Sequence, residues 1–318
     1  MDPISSFLTA PRARGAFSLR VVMDPPFGID VRDQAALTVV VPVRGSVWLL
    51  TEGDAAHLVL PGQAASIRGP EPYLVADAAD RASTVIIGPD QSCTSLTGEH
   101  LEITMRQGIR TWGNGVRGEN VVLIGTYQSD AAVGRLVTTA LPSVAVFSAN
   151  EADPMLIQLL ERELTVPGLA ADSALDRLLD LLLLQLVRSW SARATAEVPS
   201  WIAGAGDPVV SKALADIHAD PAAAWSVAEL ARRSHVSRAT FAARFRSIVG
   251  QPPMAYLTQW RLALAADRLS DGNATLATIA EEVGYSSAFT LSAAFSERYG
   301  TSPAGYRRNL RERSSEHA

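Results

Sequence analysis

Arginines and small side chains set at helical intervals can hold a nucleic-acid duplex. Guanidinium groups reach phosphate oxygens or the paired acceptors of guanine, and alanines let a helix come close to base edges. Residues 238–246, RATFAARFR, have this make-up. Phe241 and Phe245 lie about one turn apart and mark the inward side of a helix. Arg238, Ala239, Thr240, Ala242, Ala243 and Arg246 then form its outer arc. A second segment, residues 287–296, repeats the plan, with Leu291 and Phe295 inward and Ser287 as the cap. Its outer arc carries Ala288, Phe289, Ser292, Ala293 and Ser296. Alanine can touch only a thymine methyl or leave room, so hydrogen-bonded readout falls to Arg238, Thr240 and Ser292, and specificity leans on phosphate contacts and duplex shape.

The elements that position these arcs are themselves duplicated. Ser226-Val227-Ala228-Glu229-Leu230-Ala231 recurs 49 residues later as Thr275-Leu276-Ala277-Thr278-Ile279-Ala280, and Val236 maps to Tyr285. From Ser237 and Ser287 onward the offset is 50, through Phe245 and Phe295, Gly250 and Gly300, Pro253 and Pro303, to Tyr256 and Tyr306. One additional residue in the second turn accounts for the change. Each copy reads as capped helix, tight turn, capped helix, which is the helix-turn-helix plan. Ser226 and Glu229 have capping-box spacing. A helix from Pro253 to about Leu269 joins the copies and spans roughly 26 Å. With flanking turns it sets the two outer helices about 34 Å apart, one helical turn of DNA.

Charge is distributed accordingly. The whole chain of 318 residues carries a net charge of −5. Residues 207–318 hold 13 Lys and Arg against 11 Asp and Glu, whereas residues 1–206 hold 15 against 22. Between Leu230 and Ala266 there are six arginines and no carboxylate. A local excess of this kind attracts phosphate, although a solvated basic face has the same composition.

The second copy, IAEEVGYSSAFTLSAAFSERYGTSPAGYR (279–307), resembles the signature of the AraC/XylS transcription regulators. Apolar-Ala, Gly-aromatic-Ser, Phe, Gly, Ser-Pro and Tyr-Arg stand in that family's order, and the likeness covers about 208–308. The remainder is similar to the cupin-type sensor half of one branch of the family, including the turn at Ala140-Leu141-Pro142. The resemblance implies a duplex-DNA partner, a small-molecule effector, a homodimer, and RNA polymerase as a partner if the protein activates. No cofactor is expected.

Ahead of the duplication, short runs rich in β-branched and aromatic residues predict strands over 37–43, 46–50, 57–60, 64–67, 73–75, 84–87 and 121–127. They argue for a sandwich or small barrel. Residues 1–34 read as polar and irregular, and 106–119 as a Gly-rich loop. Helices follow from Asp153-Pro154 and from Asp172-Ser173. Leucines 175–186 cover nearly the whole of the second one, so it needs burial on more than one side, and a partner subunit can supply the second. The expected organisation is multi-domain: a mostly-β, cupin-like sensor barrel over 1–150, two dimerisation helices and a linker over 151–206, and an all-α double helix-turn-helix domain over 207–318.

Other chemistry is sparse. The first half has only His57 and His100, with no His-x-His pair, so no metal site is expected. Trp48, Tyr73, Trp112 and Tyr127 are candidate liners of an effector pocket. Cys93, the only cysteine, falls in a polar turn and could answer an oxidant only by forming a sulfenate or an intersubunit disulfide. The leucine run 178–187 is too short to span a bilayer and contains Asp180, and the start of the chain lacks a signal-peptide core, so a cytoplasmic protein without a membrane partner is expected. The leading reading is a non-enzymatic regulator of transcription. A cupin enzyme, metal-free or metal-dependent, fused to a DNA-binding tail is the alternative, and an effector-independent architectural DNA binder is a third.

Overall fold

The computed structural model describes residues 18–115, 118–127, 132–166, 168–193, 201–270 and 274–316. Two compact units emerge. One holds twelve strands and two helices, α2 (Pro154–Thr165) and α3 (Ala171–Arg193) as far as Trp190. The other holds α1 (Ala132–Thr139), α4 (Pro208–Ala219), α5 (Val227–Arg233), α6 (Arg238–Val249), α7 (Pro253–Ser270), α8 (Leu276–Glu282), α9 (Ala288–Tyr299) and α10 (Pro303–Glu316).

In the β unit the strands are β1 (Ser18–Met23), β2 (Gly28–Val31), β3 (Leu37–Arg44), β4 (Val47–Thr51), β5 (His57–Val59), β6 (Ala64–Arg68), β7 (Tyr73–Ala76), β8 (Val85–Ile87), β9 (Cys93–Ser95), β10 (Thr111–Trp112), β11 (Asn120–Tyr127) and β12 (Val144–Phe147). They make two six-stranded sheets, ordered β10-β1-β11-β3-β6-β12 and β5-β4-β7-β2-β8-β9. Every strand expected from sequence is present. The stretch read as polar and irregular supplies β1 and β2 as well, and β10 lies inside the expected Gly-rich loop. The reason is composition: Val21, Val22 and Met23 are buried but stand in a row without alternation, β2 carries Gly28 and Asp30, and β10 has only two residues.

Phe27, Val40, Leu49, Ile67, Val75 and Val122 form the core between the sheets. The opposite face of β3 and β11, through Val39, Val41, Leu123 and Gly125, meets Leu160, Leu164, Leu179 and Leu182 of α2 and α3. Both faces of β11 are therefore covered, which explains its continuous apolar run. Gly125 lets the helix lie close: a Cβ there would stand 2.5 Å from Leu179 Cδ2 and push that side chain aside. Most leucines of α3 are buried, and Leu181 stays 52% exposed.

The helical unit is built on Phe241, Phe245, Tyr256, Trp260, Leu291 and Phe295, all buried. Helix α1 comes from the stretch 1–150, yet Ala132 and Leu136 join this core. The Ala132 amide donates to the Asp267 carboxylate of α7 at 2.5 Å, and the Trp201 indole N–H donates to the Leu136 carbonyl at 3.0 Å. Of the stretch 151–206 expected to hold the helices and linker, residues 194–200 lie outside the described residues, and Ala203–Gly206 form a 3-10 turn.

Candidate nucleic-acid interface

Both outer helices start on a serine. Ser237 Oγ accepts the Thr240 amide at 3.1 Å, and Ser287 Oγ accepts the Thr290 amide at 3.2 Å. In the second copy Thr290 Oγ1 also accepts the Ser287 amide, closing a reciprocal cap. At the first supporting helix only half of the expected box forms. Ser226 caps the Glu229 amide, while the Glu229 carboxylate turns to Arg232 at 2.5 Å. Each outer helix ends on a left-handed glycine, Gly250 or Gly300.

The two turns need a residue with positive φ. The first uses His235 (φ 57°) and the second Gly284 (φ 83°). A Cβ on Gly284 would sit 2.7 Å from Ala222 Cα, so glycine is needed for space as well as for φ. Beneath the helices, Phe245 meets Tyr256 at 6.0 Å and Phe295 meets Tyr306 at 5.3 Å, both edge-on. Buried His218 bonds the Tyr256 hydroxyl at 2.7 Å.

With Phe241, Phe245, Leu291 and Phe295 fully buried, the outer arcs face outward. Arg238, Ala239, Thr240, Ala243 and Arg246 are exposed and Ala242 is half-buried. Ser287 and Ala293 are exposed, Ala288, Ser292 and Ser296 half-buried, and Phe289 is 82% exposed. The hydroxyls of Thr240 and Ser287 are already engaged in the caps, since Ser237 Oγ and Thr240 Oγ1 lie 2.8 Å apart.

The arginine excess divides sharply. Arg233 forks onto Asp216 of α4 at 2.8 and 3.1 Å, and Lys212 reaches the same carboxylate at 2.6 Å. Arg244 binds Asp207 at 2.6 Å, and Arg261 donates to the carbonyls of Pro221 and Ala223. Burial opposes charge on Asp216, but the hydrogen bonds from Arg233 and Lys212 outweigh it and hold the carboxyl below the usual range. Asp207 behaves alike: burial is outweighed by the Val210 amide and Arg244. Among the described residues, Arg238 and Arg246 have no ion pair or side-chain hydrogen bond. These internal ties were not foreseen, because the partners of the arginines lie in other elements: Asp216 in α4, Asp207 at its cap, and the loop carbonyls of Pro221 and Ala223.

In the β unit, Tyr73 and Trp112 line a cavity between the sheets. Trp48 and Tyr127 do not line it, and strand alternation gives the reason. Val47 and Leu49 point into the core, which turns Trp48 to the other face. Ile124 and Thr126 face the cavity, which turns Tyr127 to the helices, where its hydroxyl donates to the Leu179 carbonyl at 2.7 Å. Cys93 lies in β9 and is buried, not in a polar turn. Burial, then the Glu102 carboxylate, push its thiol up to about 11, which disfavours the reactive thiolate. His57 lies 3.7 Å from Asp54 and His100 3.3 Å from Glu102. Among the described residues no helix is long and apolar enough to cross a membrane.

Residues 2–192 match the Cupin family and residues 230–309 the Helix-turn-helix domain family. A Streptomyces antibioticus protein named as an AraC-like transcription regulator is 33% identical over 314 residues, 97% of this chain and 99% of that one. A protein of the same description from Streptomyces lividans is 40% identical over 198 residues, 61% of this chain and 65% of that one. A solved structure, the DNA-binding domain of AdpA in complex with a target DNA, is 32% identical and covers 34% of this chain and 96% of its own, with a TM-score of 0.32.

Proposed function

Because the chain belongs to the AraC-like transcription regulators, we propose that it grips duplex DNA through the outer arcs of α6 and α9 and that a small molecule held by the β unit sets its affinity. Its relatives are transcription regulators, and this protein acts likewise by binding, not by catalysis, in the cytoplasm. The observation that carries the reading is the pair of serine-capped helices, each anchored by buried aromatics, whose outer arcs are exposed or half-buried over their whole length. Helices of this kind enter the major groove with their first turns toward base edges. Arg238 and Arg246 are the cations of α6 free for phosphate or guanine, and Phe289 with its neighbouring alanines suits thymine methyls.

Dimerisation is part of the proposal. Met155, Leu159 and Leu181 on α2 and α3 are 71, 39 and 52% exposed, apolar surface that a second copy would cover. Leu181→Glu is expected to give a monomer by light scattering. As an activator the protein would also touch RNA polymerase. The decisive experiment selects genomic fragments with the full chain and measures their affinity by mobility shift. Failure to enrich any fragment over random DNA would sink the proposal.

A further inference from the structure

The cavity between the two sheets has a volume of about 220 Å³, and its wall is mostly aliphatic and aromatic. That is smaller than the roughly 300–1,000 Å³ of clefts for drug-sized ligands, so any occupant is compact. Its polar liners are Asp33 and Thr126, both buried, and Gln91, Glu102, Arg106 and Thr111, which are half-buried or exposed. Asp33, 5% exposed, accepts the Ala35 amide at 3.1 Å and a hydrogen bond from Gln91. Thr126, 2% exposed, has a hydroxyl with no hydrogen-bond partner among the described residues. A buried hydroxyl left without a partner is costly, and a ligand group can remove that cost. The rings of Tyr73 and Trp112 complete the wall, and the Tyr73 hydroxyl is itself turned away to donate to Thr38 at 3.2 Å.

These groups discriminate between ligand classes. An anion would meet the Asp33 carboxylate without a buried cation to balance it, since Arg106, the cationic liner, is exposed. A polyol would leave most of its hydroxyls against aliphatic wall. A hydrocarbon would give Asp33 and Thr126 nothing. A cationic nitrogen would pair with Asp33, donate to Thr126, and lie among π faces that attract positive charge. Burial already pushes the Asp33 carboxyl up against its amide donors, so a positive group beside it relieves a standing cost.

We propose that the cavity binds a compact hydrophobic amine, its ammonium group on Asp33 and Thr126 and its apolar body between Tyr73 and Trp112. This rests on the reading of the β unit as the sensor. The test uses three probes of one size and shape, 2-phenylethylamine, 2-phenylethanol and phenylacetate, titrated onto the full chain by calorimetry and saturation-transfer NMR. The amine is expected to bind at least tenfold more tightly than the alcohol, and the acid not at all at the same concentrations. Asp33→Asn is expected to cost the amine at least tenfold while sparing the alcohol, and Thr126→Val about threefold, with circular dichroism checking the fold. Phenylacetate binding as well as the amine, no binding by any probe, or an amine preference that survives Asp33→Asn would each overturn the proposal. The order of the three probes on the unaltered protein decides the matter even where a variant does not fold. Mobility shifts with and without the amine keep the two readings apart. An amine that binds but leaves DNA affinity unchanged upholds the ligand class and removes the sensor role.

Discussion

Phe245 meets Tyr256 edge-on at 6.0 Å, and fifty residues further along Phe295 meets Tyr306 in the same way at 5.3 Å. Above these matched anchors the two modules diverge. The first presents unpaired Arg238 and Arg246. The second presents Phe289 among alanines and serines. Their turns differ too, His235 against Gly284. Duplication has thus kept what packs and altered what faces outward. Core positions answer to close packing, where one methylene is felt, whereas outward positions answer only to what they touch.

The anchors should give the largest effect. Phe245→Ala and Phe295→Ala are each expected to cost about 3–5 kcal/mol, read by thermal or urea melting. A loss in one and not in the other would break the equivalence of the two cores. The turns come next. Gly284→Ala is expected to cost about 3 kcal/mol, from its backbone conformation and from the approach to Ala222, whereas His235→Gly is expected to change stability by less than about 1 kcal/mol. Equal effects at both turns would mean that the spatial demand on Gly284 is misread.

The outer arcs sharpen the contrast further. Arg238→Ala is expected to weaken operator binding by about 1–3 kcal/mol without lowering the melting temperature. Phe289→Ala is expected to weaken it by about 1 kcal/mol, and uracil in place of thymine beneath α9 should reproduce that loss. Unchanged binding in both variants would remove these helices from the interface. The last contrast concerns acid. Asp216 has a depressed pKa when folded, so its stabilisation is present at neutral pH and is lost as pH falls through the acid range toward that pKa. Asp216→Asn is expected to cost about 1–2 kcal/mol at pH 7 and to flatten the fall in melting temperature below about pH 4. A variant that melts with the same acid profile as the unaltered protein would show that the Arg233 and Lys212 ties contribute little.

Much of this was legible in the residues. The 49- and 50-residue offsets located both modules, and the serine caps and inward phenylalanines fixed the phase of α6 and α9. The strand runs were readable because each had Gly or Pro close to at least one end. Strands β1 and β2 were not, since Val21-Val22-Met23 shows no alternation and β2 carries Gly28 and Asp30. Helix α1 was missed because it carries Gly134 within it and has no repeated copy to announce it, as the shorter α5 and α8 had. Trp48 and Tyr127 were placed on the wrong face because alternation gives the period of a strand but not which side holds the cavity. The arginine count misled for a related reason: Asp216 and Arg233 stand 17 positions apart on different helices, and no local pattern announces such a pairing.

Those pairings bear on how the protein responds to ionic strength. Association with a polyanion is driven by counterions released, roughly one per phosphate neutralised, and only cations not already neutralised contribute. Arg233, Arg244 and Arg261 are committed internally, and Arg232 shares Glu229, so the arginine-rich stretch should release roughly two or three counterions instead of roughly six. A plot of log affinity against log salt would then fall with a contribution from this stretch nearer −2 than −5. Such a protein would keep its place on the chromosome through an osmotic upshift that strips more electrostatically dependent binders away.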